Sequence, residues 1–134
     1  MLQESTCDIL KLGEAAMKKK ILVVDNEIHS RELIALFLCE ANYEVRQAAD
    51  GVSAIRLLEQ INFDLMICDI VMPRLGAFDL IDHMGSLSLS TPVILITGYP
   101  DILTDRCISH LPYFSKPFNM YDLLHKVRAL INAR

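Results

Sequence analysis

The chain has 134 residues, 52% of them hydrophobic, and a formal net charge of −4. A length of this order makes one domain that buries roughly two-thirds of its unfolded surface, so no metal or disulfide staple is required. The acidic balance argues against a nucleic-acid surface, which demands clustered Lys and Arg. The one basic run, Lys18-Lys19-Lys20, reads as the solvated lead-in to a strand.

No apolar run reaches the ~20 residues of a membrane helix. The N-terminus also lacks the basic stretch and apolar core of a secretory signal. Cys7, Cys39, Cys68 and Cys107 are far apart with no C-x-x-C pair. This predicts reduced, mostly buried thiols in a cytoplasmic protein, not a zinc site or a disulfide framework.

Residues 1–17 stand apart as an N-terminal extension, a short helix or a disordered leader, with Ser5-x-x-Asp8 as its one capping signal. Ile21-Leu22-Val23-Val24 then reads as a buried strand running into Asp25-Asn26-Glu27. A helix is predicted over residues 28–41, with Leu33, Ile34, Phe37, Leu38 and Ala41 as its apolar stripe and Asn42 at its end. Residues 43–48 form a less apolar strand, suited to an edge. Asp50-Gly51 opens the next helix, with Asp50 as N-cap and Ala54, Leu57, Leu58 and Ile61 facing the core.

Leu65-Met66-Ile67-Cys68 is a second buried strand, ending in Asp69, and Pro73 takes the chain out of it. On this stretch alone Asp69 reads equally as a turn starter or as a ligand group at a strand end. A helix over residues 78–84 follows, then a turn at Gly85 and the serines after it. Thr91-Pro92 introduces Val93-Ile94-Leu95-Ile96, which ends in Thr97-Gly98. A short helix is predicted over 101–110 and a fifth strand over 111–115, ending in Lys116-Pro117. Asn119 caps a last helix whose Met120, Leu123, Leu124, Val127, Leu130 and Ile131 keep helical spacing. Strands alternating with helices predict βαβ units, hence an α/β fold with a parallel sheet and helices on both faces.

Four strands finish on polar residues: Asp25, Asp69, Thr97 and Lys116. In a parallel sheet these ends share one rim, so two acids, a hydroxyl and an ammonium converge there. Such a set suits phosphoryl transfer to a carboxylate. An aspartate can be the nucleophile of an acyl phosphate, and acidic oxygens suit Mg²⁺. Lys116 can neutralise one phosphoryl oxygen and the Thr97 hydroxyl can donate to another.

From about residue 19 to 132 the chain resembles a response-regulator receiver domain of two-component signalling, similar to the chemotaxis regulators. The match rests on Ile21-Leu22-Val23-Val24-Asp25-Asn26-Glu27, Asp69-x-x-Met72-Pro73, Thr97-Gly98 and Lys116-Pro117-Phe118. The resemblance implies one receiver domain over 18–134 and a flavodoxin-like, doubly wound five-stranded sheet in the order 2-1-3-4-5. It implies a phosphoacceptor Asp69 charged by a histidine kinase or histidine phosphotransfer protein. Mg²⁺ would be the cofactor, with Asp25, Asn26, Asp69 and the Val71 carbonyl as its ligands. Lys116-Pro117 would be cis, and Thr97 and Tyr113 would be the switch pair. The protein would signal by conformational switching without turning over a separate substrate. Output would pass to a protein partner through the face built from the predicted 101–110 helix, the fifth strand and the last helix, with a homodimer left open. It would act without nucleic-acid or membrane contact, by protein–protein contact or phosphate relay, because no output domain is apparent.

Several positions depart from the family pattern. Asn26 stands where a second acid is usual, which predicts weaker Mg²⁺ binding, with Glu27 as a helper. Arg74 and Ala77 occupy places where the family often has glycine. Val71 and Tyr99 lie two residues past Asp69 and Thr97, where they would hinder an attacking water and prolong the phosphorylated state. Two other readings stay open. One is a pseudo-receiver, a binding module that works without phosphorylation, which Asn26 favours. The other is a Mg²⁺-dependent phosphatase with an aspartyl nucleophile, which the missing Asp-x-Asp pair opposes.

Overall fold

The computed structural model describes residues 18–72, 74–99 and 111–133. The 1–17 extension and the predicted 101–110 helix lie outside these residues. In chain order the elements are β1 (Lys20–Val24), α1 (Ile28–Glu40), β2 (Glu44–Ala48), α2 (Gly51–Gln60), β3 (Leu65–Asp69), α3 (Ala77–Ser86), β4 (Val93–Thr97), β5 (Tyr113–Ser115) and α4 (Met120–Asn132). The five strands are all parallel in the order β2-β1-β3-β4-β5. This is the flavodoxin-like order, and β2, the least apolar strand, lies at an edge.

Period-two alternation along the central strands divides the core into two layers. Ile21, Val23, Leu65, Ile67, Ile94 and Ile96 pack with Ile34, Leu38, Leu123 and Val127 under α1 and α4. Leu22, Val24, Met66, Cys68, Val93 and Leu95 pack with Ala54, Leu58, Leu80 and Met84 under α2 and α3. Both faces are covered, which is why the central strands read as unbroken apolar runs.

The helix ends follow local chemistry. The side chains of Glu27, Asp50 and Asn119 cap α1, α2 and α4 by accepting from Ser30, Ser53 and Tyr121 amides. After α1, Asn42 is left-handed (φ 78°). The Asn42 amide donates to the Cys39 carbonyl and the Tyr43 amide to the Leu38 carbonyl, the two bonds of a Schellman end. Ser88 (φ 59°) ends α3 in the same way, with Leu89 bonded back to Met84. The helix therefore runs through Gly85, and the turn falls three residues later than the sequence suggests.

Two readings need correction. Leu33 is 56% exposed, and the buried face of α1 is Ile34, Ala35, Leu38 and Cys39. Leucines on more than one side of this helix blur its periodicity. Cys39 is disulfide-bonded, not a reduced thiol; spacing in sequence carries no information on which sulfurs meet in space. Cys68 is a free, buried thiol. Burial pushes its pKa up, and the nearby Asp69 and Asp25 charges add to that, so it stays protonated.

Candidate functional site

The strand pleat aims the acids. Asp25 and Asp69 continue the odd-numbered face of β1 and β3, which are paired as far as Val24 and Cys68, so the two carboxylates emerge side by side. Each is anchored by the backbone just beyond it: Asp25 Oδ1 accepts from the Glu27 amide at 2.9 Å and Asp69 Oδ1 from the Val71 amide at 3.0 Å. Their other oxygens meet one ammonium. Lys116 Nζ donates to Asp69 Oδ2 at 2.9 Å and to Asp25 Oδ2 at 3.2 Å. Lys116 reaches them because β5 ends beside β4, where its amide donates to the Thr97 carbonyl at 2.7 Å and the Lys116-Pro117 peptide is cis.

Electrostatics favour this triad as one unit. Burial raises the Asp69 pKa, the Lys116 and Val71 bonds oppose that, and the Asp25 charge adds to it; the net direction is upward. For Lys116 burial acts downward, but the bond to Asp69 and the two carboxylate charges outweigh it, so the lysine is held as a cation.

The other expected residues lie on the same rim without joining the triad. Thr97 is fully buried, and its Oγ1 accepts from the Tyr99 amide at 2.8 Å. Tyr113 is 48% exposed on β5. Val71 and Tyr99 are exposed at the mouth of the site. Asn26 is exposed beside Asp25, and the Glu27 carboxylate is occupied in capping α1. Among the described residues no group of three or more His, Cys, Asp or Glu side chains could hold a metal ion. The donors at hand are the Asp25 and Asp69 carboxylates with the Asn26 and Val71 carbonyls. All are hard oxygens, and two carboxylates are what Mg²⁺ commonly takes from protein, with water completing its shell. The set fits Mg²⁺ with one charge fewer than three acids would give. When bound, such an ion would neutralise phosphoryl oxygens.

Two supports were not legible in the sequence. Arg31 donates from Nη1 to the Asp25 carbonyl and from Nε to Gln47 Oε1, both at 3.0 Å, and so braces the β1–α1 loop. Its one signal is a cation near a helix N-terminus, where the dipole disfavours it. Arg74 Nη1 bonds Asp50 Oδ2 at 3.0 Å, tying the loop after β3 to the turn before α2. That loop passes so close that a Cβ on Gly51 would meet the Leu75 carbonyl oxygen at 2.3 Å, which requires glycine there.

Comparison with known proteins identifies the family and the fold. The sequence model of the response regulator receiver domain family matches residues 21–128. The chain is 32% identical to response regulator RR06 of Streptococcus pneumoniae over 114 residues, 83% of this chain and 52% of that protein. It is also 32% identical to the probable transcriptional regulator ycf27 of Cyanophora paradoxa, over 85% of this chain and 48% of the relative. The chain thus spans about half the length of these curated relatives.

Among solved structures, the receiver domain of Francisella response regulator 1452 is similar with a TM-score of 0.79, 25% identity and coverage of 87% of this chain and 98% of that one. TrrA of Thermotoga maritima, solved in complex with Mg²⁺-BeF, gives 0.77 and 34% identity over 84% and 98%. The chain is a response regulator receiver domain, of the chemotaxis-regulator fold and of the two-component signalling class. Among the described residues no helix is long and apolar enough to cross a membrane.

Proposed function

We propose that Asp69 is a phosphoacceptor, charged from a phosphohistidine on a kinase or phosphotransfer protein, and that the phosphorylated chain signals to a protein partner by changing conformation. The observation that carries the reading is the shared contact of Lys116 Nζ with Asp69 and Asp25. It holds a nucleophilic oxygen and a fixed cation at one point, in a partly dehydrated pocket where charge stabilisation is strong. The Asp69 oxygen attacks phosphorus as the P–N bond to the donor imidazole breaks. The imidazole nitrogen leaves with the bond pair and takes a proton, and Lys116 shifts its charge onto the transferred group. Asp25, Asn26, Asp69 and the Val71 carbonyl are the proposed Mg²⁺ ligands.

The switch follows from the present position of Thr97. Its hydroxyl is engaged with the Tyr99 amide and Tyr113 lies outward. A phosphoryl group on Asp69 would draw Thr97 toward it, leaving room for Tyr113 to turn inward, a population shift between two arrangements. Addition of beryllofluoride and Mg²⁺ tests this, read by amide spectra across Thr97–Tyr99 and β5. Wild type should respond and Asp69→Ala should not. Silence in wild type would leave a pseudo-receiver, a binding module independent of phosphorylation.

A further inference from the structure

Beside the acidic rim the structure holds a hollow of opposite charge. At the C-terminal end of edge strand β2, Arg31, Gln47, Ala48, Ser53 and Arg56 line a cavity of about 370 Å³, within the usual range for small-molecule sites. Its charged lining residues are both arginines, in a chain of net charge −4. No acid lines the cavity: Glu32 and Glu59, the acids closest in sequence to the two arginines, are exposed outside it, and the three acids at the neighbouring loop ends are engaged elsewhere. Asp50 caps α2 and pairs with Arg74. Asp25 is taken by the Glu27 amide and Lys116, and Glu27 caps α1.

The two arginines are held differently. Arg31 is fixed by its bonds to Gln47 and the Asp25 carbonyl, which leave the rest of its five-donor fork available. Arg56 has no hydrogen-bond or ion-pair partner among the described residues. A pre-oriented guanidinium beside an unpaired one suits an anion with several acceptor oxygens, for which arginine forks are the matching donors. We propose that this cavity binds a small phosphoryl-bearing anion, held between Arg31 and Arg56 with the Gln47 side-chain amide as a further polar contact. Because Arg31 also holds the Asp25 carbonyl, occupancy would be felt in the loop carrying Asp25 and Asn26.

Inorganic pyrophosphate is the probe, titrated calorimetrically into the full chain with EDTA present and at about physiological ionic strength, where exposed charges are screened beyond roughly 8 Å. One saturable site is expected, with amide shifts concentrated at Arg31, 47–49, Ser53 and Arg56. Arg56→Ala, a change at an exposed position that should leave the fold intact, should weaken binding about tenfold or more, as loss of charge-assisted hydrogen bonds does. Failure to saturate, undiminished binding by Arg56→Ala, or shifts confined to Asp69 and Lys116 would each overturn the proposal.

Discussion

Removing the Lys116 ammonium should destabilise the domain as well as silence it. At about 3 Å and an effective dielectric of 20, each Lys–Asp contact carries roughly 5 kcal/mol of gross attraction, most of it offset by the cost of dehydrating the charges. Breaking a buried pair leaves an uncompensated charge and costs about 3–5 kcal/mol. Here two acids are left behind, with side chains 2% and 10% exposed, while the lysine is 28% exposed. Solvent access to the lysine argues for the low end, so Lys116→Ala should cost about 3 kcal/mol, or roughly 10 °C in Tm for a domain of this size.

Urea unfolding at pH 7 reads this directly. Because burial already raises the Asp69 pKa, losing the cation should raise it further, and a carboxyl raised in the fold costs stability as pH rises through its range. The deficit of Lys116→Ala should therefore shrink in acid. Adding Asp69→Asn, which leaves a single acid at the site, should recover much of it. A Lys116→Ala loss below about 0.5 kcal/mol, with no recovery in the double variant, falls within the range of ordinary surface substitutions and would refute the reasoning.

Other outcomes follow from the same geometry. Asn26→Asp adds a charged oxygen beside Asp25 and should tighten Mg²⁺ binding; an unchanged calorimetric affinity would count against Asn26 as a ligand position. Val71→Asn and Tyr99→Glu replace an apolar and an aromatic group at the mouth of the site and should shorten the life of the phosphorylated state severalfold, measured by loss of the phosphoryl group over time. The Ser53 backbone amide above all holds the Asp50 pKa below its usual value; burial opposes, while the Ser53 side chain and Arg74 assist. Asp50→Ala should cost about 1–2 kcal/mol at pH 7 through the lost cap and ion pair. A carboxylate depressed in the fold stabilises above its unfolded pKa and loses this as pH falls through its folded value, so the gap to wild type should narrow in acid.

The sheet was legible because both its faces are covered: Ile21-Leu22-Val23-Val24 and Val93-Ile94-Leu95-Ile96 are unbroken apolar runs ended by turn chemistry. The caps Asp50 and Asn119 announce themselves by residue type and position. The meeting of Asp25, Asp69 and Lys116 followed from one rule, that parallel strands end on one rim. What could not be read depends on side chains that travel sideways. Arg31 reaches from a helix to a carbonyl on the strand before it, and Arg74 spans from one loop to another with a left-handed backbone (φ 68°) that its residue type does not advertise. Leu33 lies on the exposed side of α1 despite its apolar spacing, because leucines on several sides of a helix leave periodicity without a preferred direction.

The central claim is that Asp69 receives a phosphoryl group, and its most direct test is the mass of the protein after incubation with acetyl phosphate and Mg²⁺. Wild type should gain one phosphoryl group, mapped by peptide analysis to Asp69, and Asp69→Asn should gain none. An unmodified wild type, or equal modification of Asp69→Asn, would contradict the account.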